Sequence, residues 1–140
     1  SCTVPAAGRP TFDISDNELE MGVGIHGEPG RRREAMREAD AIIKDVTDAI
    51  LDALKPAADS EALLLINGFG ATPLMELYLI YNTAARLFSE HGIKVARSLV
   101  GNYTTALDMA GASVTLCLLD DEIKQHWDSA VHTAALRWGV

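Results

Sequence analysis

The chain has 140 residues, of which 48% are hydrophobic and 6% aromatic, so it is long enough for one domain with a sizeable core. Its formal net charge of −8 argues against nucleic acid as a partner, because phosphate binding needs clustered Lys and Arg. No apolar run approaches the ~20 residues of a membrane span, and the two cysteines, Cys2 and Cys117, match no metal spacing. We therefore expect reduced thiols in a cytoplasmic protein with no membrane partner.

The first residues are predicted to be an entry segment rather than a packed element. Residues 1–17 contain Pro5, Gly8 and Pro10 and no helix start, which is typical of extended linker sequence. The chain begins with Ser and reads like sequence from inside a longer polypeptide, so we expect a fragment of a longer protein. Residues 18–140 are predicted to form a single α/β domain.

Three elements are predicted in the first half of this domain. Residues 18–26 alternate apolar with acidic or small residues, and this period of two predicts a strand with one buried face. From about 34 to 55 the apolar residues recur at spacings of three and four, which predicts an amphipathic helix ended by Pro56. The continuous apolar run 61–66 predicts a strand that is covered on both sides.

A glycine-rich turn over residues 67–73 leads into a second predicted helix. Thr72 suits the N-cap and Pro73 the first helical position, and the helix is expected to run to about Glu90 and to stop at Gly92. The turn reads G-x-G-x-x-P, with Pro73 where a dinucleotide fingerprint needs its third glycine, and no Lys follows as in a phosphate-binding loop. A tight connection is therefore favoured over a nucleotide site.

Two strands and a short helix complete the predicted fold. The strands are expected at 93–100 and 113–119, and the helix at about 120–128, where its acidic first residues suit the helix dipole. The tail from 131 to 140 is predicted to be irregular. The order β-α-β-α-β-β-α predicts an α/β (α+β) fold, with a two-layer mixed sheet and helices packed on it.

Several polar residues have a structural and a functional interpretation. Arg31–Arg33 is interpreted first as a solvated helix start, with a phosphate contact as the alternative. Asp108 lies in a polar loop, where turn formation is commoner than function. His91 is expected to interact with the C-terminal end of the second helix. We expect His126 on the surface, and for His132 we favour packing over a functional role.

The segment Gly22-Val23-Gly24-Ile25-His26-Gly27-Glu28-Pro29-Gly30 holds the most informative histidine. Glycines on both sides of His26 remove the side chains that would shield it, so its imidazole is open to a small molecule. From the residues alone, a structural role for His26 is commoner than a functional one. No cofactor-binding or metal-binding residues are predicted.

Several ordered blocks of the chain resemble the substrate-binding subunit of dihydroxyacetone kinases, the DhaK type. The resemblance covers nearly the whole chain and corresponds to the second, C-terminal half of that subunit. Small departures, such as Ala130 and Ala134 in place of prolines, bear on partner specificity. The matching blocks are Ser1–Gly8, Glu20–Gly30, Asn67–Tyr78, Gly101–Gly111, Leu119–Glu122 and Trp127–Leu136.

The resemblance implies that His26 is both the substrate-binding and the catalytic residue. In the family this histidine holds dihydroxyacetone covalently, as a hemiaminal, for phosphorylation to dihydroxyacetone phosphate. The resemblance also implies a homodimer, a role in glycerol metabolism, and a phosphoryl donor held by a partner subunit or domain. That donor is ATP or comes from a phosphotransferase system.

The alternative implied by the resemblance is a non-catalytic dihydroxyacetone sensor that controls a transcription regulator. The family's acid/base Asp and its second His lie in the first half of the subunit. The isolated chain is therefore expected not to phosphorylate the substrate.

Overall fold

The computed structural model describes residues 3–10, 12–24, 29–106 and 108–140. Three α-helices and nine strands lie in these ranges, and four of the strands are only two residues long. In chain order they are β1 (Thr3–Val4), β2 (Arg9–Pro10), β3 (Glu18–Met21), β4 (Arg32–Ala35), α1 (Ala39–Leu54), β5 (Glu61–Gly68), α2 (Leu74–Glu90), β6 (Lys94–Gly101), β7 (Ala112–Leu118), α3 (Asp121–Trp127), β8 (Val131–His132) and β9 (Arg137–Trp138).

The central sheet has the order β6-β5-β7. Strand β5 pairs in parallel with β6, which α2 connects to it, and antiparallel with β7. The middle position of β5 follows from its sequence, since six of its eight residues are buried and both of its edges are paired. The predicted mixed sheet with helices packed on it is confirmed.

The core lies between this sheet and the two long helices. Leu64 and Ile66 of β5 are fully buried, as are Leu77 and Phe88 of α2, and Ile43 of α1 joins the same cluster. Burial of each such side chain contributes about 1.5–3 kcal/mol. The apolar stripes predicted from helical spacing therefore face the sheet and each other.

Helix α1 begins later than its apolar spacing predicts. Residues 34 and 35 belong to β4, which pairs antiparallel with β3, and the helix begins at Ala39. Cross-strand pairing with β3 overrides the helical pattern here. Arg32 and Arg33 belong to strand β4 and Arg31 directly precedes it, so the predicted helix start at these arginines is wrong. The predicted end is confirmed, because Lys55 takes the left-handed conformation and Pro56 cannot continue the helix.

Helix α2 also begins later than predicted. It begins at Leu74 with Pro73 at the N-cap, one residue later than predicted, and the Thr72 hydroxyl bonds the Gly111 backbone rather than capping the helix. At the C-terminal end, His91 Nδ1 lies 2.8 Å from the Leu87 carbonyl oxygen, and Gly92 follows in a left-handed conformation. The expected position of His91 is confirmed.

The two ends of the chain are more ordered than predicted. Residues 3–10 form the β1–β2 hairpin, and β8–β9 form another in a tail predicted to be irregular. Trp138 of that tail packs edge to face on Trp127 of α3 with ring centroids 5.2 Å apart, and its Nε1 donates to the Ser129 carbonyl oxygen. The exposed side chain of His132 makes the packing interpretation of that histidine wrong.

Helix α3 begins as predicted, because the Asp120 carboxylate accepts a hydrogen bond of 2.8 Å from the Ile123 amide. His126, on this helix, is on the surface as expected. In the ranges that the structure describes, no helix is long and apolar enough to span a membrane.

Candidate functional site

The β3–β4 hairpin holds the two ends of the glycine-rich segment together. Met21 pairs with Arg32, and the Arg31 amide donates a hydrogen bond of 2.7 Å to the Met21 carbonyl oxygen. The segment from Gly22 to Gly30 therefore has its two ends held together at a closed neck. His26 and its neighbours 25–28 lie outside the described residues, so its assigned role stays a prediction.

Glycine is required at both sides of this neck. Gly22 has φ +75°, and a Cβ there would lie 2.8 Å from Cγ of Arg31. A Cβ on Gly30 would lie 2.6 Å from Cγ of Glu20 and 2.9 Å from the Met21 carbonyl oxygen. The sequence indicates glycines that clear space around a histidine, whereas these two also let the two strands approach each other at the neck.

Ion pairs fix the hairpin below the loop. Arg33 Nε donates to Glu20 at 2.9 Å across the two strands, and Arg32 and Arg37 share the carboxylate of Asp45 on α1. The hydrogen bond from Arg37 holds the pKa of Asp45 below its ordinary value, with Arg32 adding to the effect. The guanidinium groups of Arg32, Arg33 and Arg37 are thus bound to carboxylates of the protein, which argues against a phosphate contact at these three residues. For Arg31 the phosphate interpretation stays a prediction.

A cavity of about 340 Å³ separates the hairpin from the body of the domain. Gly22 and Val23 line it from the start of the loop, Ile42 from α1, and Phe69 and Met109 from the opposite side. This lining is mainly hydrocarbon, which suits burial of apolar surface better than recognition of a small polyol with several hydroxyl groups.

A second loop, residues 102–111, faces the same cavity, and Asn67 holds it in place. The Asn67 side chain is 3% exposed, and its Oδ1 accepts the amides of Tyr103 at 2.8 Å and Thr104 at 2.9 Å. Its Nδ2 donates to the Thr104 carbonyl oxygen at 2.8 Å. Sequence reasoning missed this role; the signal was an asparagine at the end of an apolar strand and before a glycine.

The glycine-rich turn 67–73 is filled by the loop 102–111. Gly70 has φ +108°, and a Cβ there would lie 2.5 Å from the Ala106 carbonyl oxygen. The Thr72 hydroxyl donates to the Gly111 carbonyl oxygen and accepts from its amide. Backbone therefore occupies the space that a phosphate would need at Gly70, which supports a tight connection over a nucleotide site.

The remaining candidate residues do not converge on one point. Asp108 is exposed and accepts the Thr3 amide at 2.9 Å, so it attaches the N-terminal hairpin to the loop 102–111. His91, His126 and His132 lie on different elements. Among the residues placed in the structure, no three His, Cys, Asp or Glu side chains are grouped to hold a metal ion. The expected absence of a bound cofactor stays a prediction.

Comparisons with known proteins give one family. The model of the Dak1 domain matches residues 1–135. A similar protein is the dihydroxyacetone-binding subunit DhaK of the PEP-dependent dihydroxyacetone kinase of Escherichia coli (strain K12). The alignment is 163 residues long at 39% identity, and it covers 99% of this chain and 46% of that protein.

Solved structures agree with this match. The dihydroxyacetone kinase operon co-activator Dha-DhaQ superposes with a TM-score of 0.80 at 33% identity, covering 91% of this chain and 40% of that one. The dihydroxyacetone kinase of C. freundii superposes with a TM-score of 0.74 at 26% identity, covering 98% of this chain and 25% of that one. The chain thus spans less than half the length of each of these relatives.

Proposed function

Because the chain belongs to the Dak1 domain family, we propose that it is the substrate-binding part of a dihydroxyacetone kinase and that His26 binds dihydroxyacetone covalently. The main support is the match over residues 1–135, together with a relative at 39% identity that is named as a dihydroxyacetone-binding subunit. The closed neck of the loop 22–30 adds a local reason, since it holds both ends of the segment that carries His26.

The proposed step is the addition of an imidazole nitrogen to the carbonyl carbon of the substrate. The lone pair of the unprotonated ring nitrogen forms the new C–N bond, and the carbonyl π electrons move to oxygen. That oxygen gains a proton while the other ring nitrogen loses one, so the product is a neutral hemiaminal and no atom leaves. Neutral imidazole is the nucleophile, so His26 needs a pKa near or below the working pH.

Covalent binding compensates for the weak noncovalent affinity of so small a substrate. Dihydroxyacetone has six heavy atoms, and even the best small ligands gain only about 1.5 kcal/mol per heavy atom, which limits noncovalent affinity and selectivity. A reversible C–N bond fixes the substrate and rejects glycerol, which has no carbonyl. The ring nitrogen has no second proton to lose, so the adduct cannot dehydrate to a stable neutral imine and does not trap the substrate.

The hairpin supplies the positioning. Cross-strand pairing and the Arg33–Glu20 ion pair set the distance between the two ends of the loop, and Gly22 and Gly30 keep them close. A catalytic group needs such support, because a small displacement of a reacting atom costs much of the rate. We therefore assign to the hairpin the role of holding the two ends of the segment that carries His26 in fixed positions.

Phosphoryl transfer needs a donor held in line with the substrate hydroxyl. We assign that donor, ATP or a phosphotransferase-system phosphoprotein, to a partner subunit or domain, and we expect a homodimer for the complete protein. Since this chain covers 46% of the E. coli subunit, it is expected to be inactive alone. Rapid product formation by the 140-residue chain with ATP and a nucleotide-binding subunit would contradict this.

Native mass spectrometry with dihydroxyacetone tests the proposed tether. We expect one ligand per chain, lost in His26→Ala and kept in His126→Ala, which removes an exposed histidine on α3. Glycerol at the same concentration should give no adduct. An adduct that persists in His26→Ala would exclude His26 as the tether.

A second candidate function is a dihydroxyacetone sensor, and the observation in its favour is the superposition on the co-activator Dha-DhaQ at a TM-score of 0.80. Both functions need the ligand, so His26 does not distinguish them. Turnover of dihydroxyacetone by the complete protein with its nucleotide-binding partner favours the kinase. Ligand binding without turnover, together with a dihydroxyacetone-dependent complex with a regulator, favours the sensor.

A further inference from the structure

A cleft of about 600 Å³ opens beside the cavity at the β3–β4 hairpin. One side is β3 and the residues before it, and the other is the start of α2 with the end of the loop 102–111. Its floor is apolar and is formed by Leu19, Val23, Ile42, Ile80 and Met109. The cleft is thus long and hydrocarbon-lined, unlike a pocket built for a small polar substrate.

The rim of this cleft carries charge of one sign. It consists of the carboxylates of Asp16, Glu18, Glu20, Glu76 and Asp108, and no Lys, Arg or His is among the described residues that line the cleft. Glu20 is paired with Arg33, and the amides of Ser15 and Thr3 donate to Glu18 and Asp108.

The two remaining rim carboxylates belong to Asp16 and Glu76. Among the residues that the structure describes, neither side chain has a hydrogen-bond or ion-pair partner. The rim as a whole is therefore strongly negative, and these two groups remain available to an external cation.

Large apolar side chains are also exposed on α2 and just after β4. Met75 and Leu79 follow the same helix beside Glu76 and Ile80, and they are 79% and 50% exposed. Met36, which also lines the cleft, is 56% exposed. Large apolar side chains grouped in this way next to a groove mark a binding surface more often than an ordinary solvated face.

We propose that this acidic cleft binds a segment of another protein chain that carries both apolar and basic side chains. The apolar floor takes the hydrocarbon side chains, and the rim carboxylates take the Lys or Arg side chains, as in other complementary interfaces. A second copy of this chain fits poorly, because its formal net charge of −8 would face a rim of the same sign. The same argument excludes nucleic acid. This surface is separate from the proposed His26 tether, and either can fail without the other.

The test uses a short fluorescent peptide of alternating Leu and Lys with the 140-residue chain, measured by anisotropy. Two control peptides replace every Lys by Glu or every Leu by Ser. The chain variant Asp16→Asn/Glu76→Gln removes the two open rim carboxylates. Its matched control, Asp52→Asn/Glu122→Gln, removes the same formal charge from exposed positions on α1 and α3.

We expect the Leu–Lys peptide to bind and both control peptides to bind much more weakly. The rim variant should weaken binding at least about threefold, with a smaller dependence on salt, and the matched control should change it little. A benzophenone on the peptide should cross-link to residues of the cleft.

Three results would overturn the proposal. They are equal weakening by the two variants, equal binding of the Leu–Glu peptide, and cross-links that fall elsewhere on the chain. Self-association of the chain that the rim variant abolishes would assign the cleft to a second copy instead.

Discussion

The central sheet and the β3–β4 hairpin are stabilised in different ways. Strand β5 is buried along most of its length and is paired at both edges, so its place in the fold follows from burial of apolar surface. The hairpin is only half-buried and depends on one strand pair, two close-packed glycines and surface ion pairs. The sheet therefore contributes most of the stability, whereas the hairpin sets the geometry at the two ends of the segment that carries His26.

Leu64→Ala should have the largest effect on stability. Leu64 is fully buried at the centre of β5, and truncation to Ala leaves a cavity that costs about 2–5 kcal/mol. Chemical denaturation followed by circular dichroism measures this. Leu79→Ala is the matched control, since Leu79 is 50% exposed and should change the free energy of unfolding little. Equal losses would contradict the assignment of the core.

Gly70→Ala should come next, at about 1–3 kcal/mol, because Ala would need φ +108° and its Cβ would press on the Ala106 carbonyl oxygen. Gly8→Ala separates the two causes, since Gly8 also has positive φ but has open space around it. A free energy of unfolding that falls equally in both variants would show that backbone conformation alone matters, and that loop 102–111 does not press against the turn.

Gly30→Ala should leave the global stability nearly unchanged and reduce dihydroxyacetone binding severalfold. The added Cβ would meet the Met21 carbonyl oxygen and force open the neck of the loop. Native mass spectrometry measures the adduct and thermal unfolding the stability. If Gly30→Ala destabilised the chain as much as Leu64→Ala, or bound dihydroxyacetone normally, the division of roles between the sheet and the hairpin would be wrong.

The smallest effect is expected at Glu61, the first residue of the central strand β5. Lys124 and then Lys94 lower the pKa of its carboxyl from 4.5 to about 2. Because the pKa of Glu61 is lower in the folded chain than in the unfolded chain, its ionised carboxylate stabilises the fold at pH values above 4.5. This contribution is lost as the pH falls from about 4.5 through about 2.

Glu61→Gln should therefore lower Tm slightly at neutral pH, and the difference from the unchanged chain should disappear at about pH 2. Added salt should shrink it too, because the pairs are partly exposed. Melting curves across this pH range measure the effect. A difference that grows as the pH falls would have the wrong sign for this ion-pair cluster.

The sheet and helices were predictable because their apolar periodicity agrees with the tertiary structure. The run 61–66 and the stripe ending at Pro56 are examples. Failures occurred where long-range pairing competes with local pattern, as at residues 34 and 35, which pair with β3 instead of extending α1.

The candidate site was predictable only in part. The sequence alone singles out the segment 22–30, and its functional importance stays a prediction; the structure adds the closed neck at its two ends. The sequence marks Asn67 only by its position at the end of an apolar strand and before a glycine. Its partners Tyr103 and Thr104 are distant in sequence, and the fold brings them together. The assigned tether, His26, lies outside the described residues, so its role is tested by ligand-binding experiments.

The most direct test of the His26 tether is NMR of the chain with 15N-labelled histidine and dihydroxyacetone carrying 13C at its carbonyl carbon. A hemiaminal predicts a tetrahedral 13C resonance with one-bond coupling to 15N, present in the unchanged chain and absent in His26→Ala. Dihydroxyacetone that binds without any 13C–15N coupling, or a coupling that survives in His26→Ala, would contradict the proposed tether.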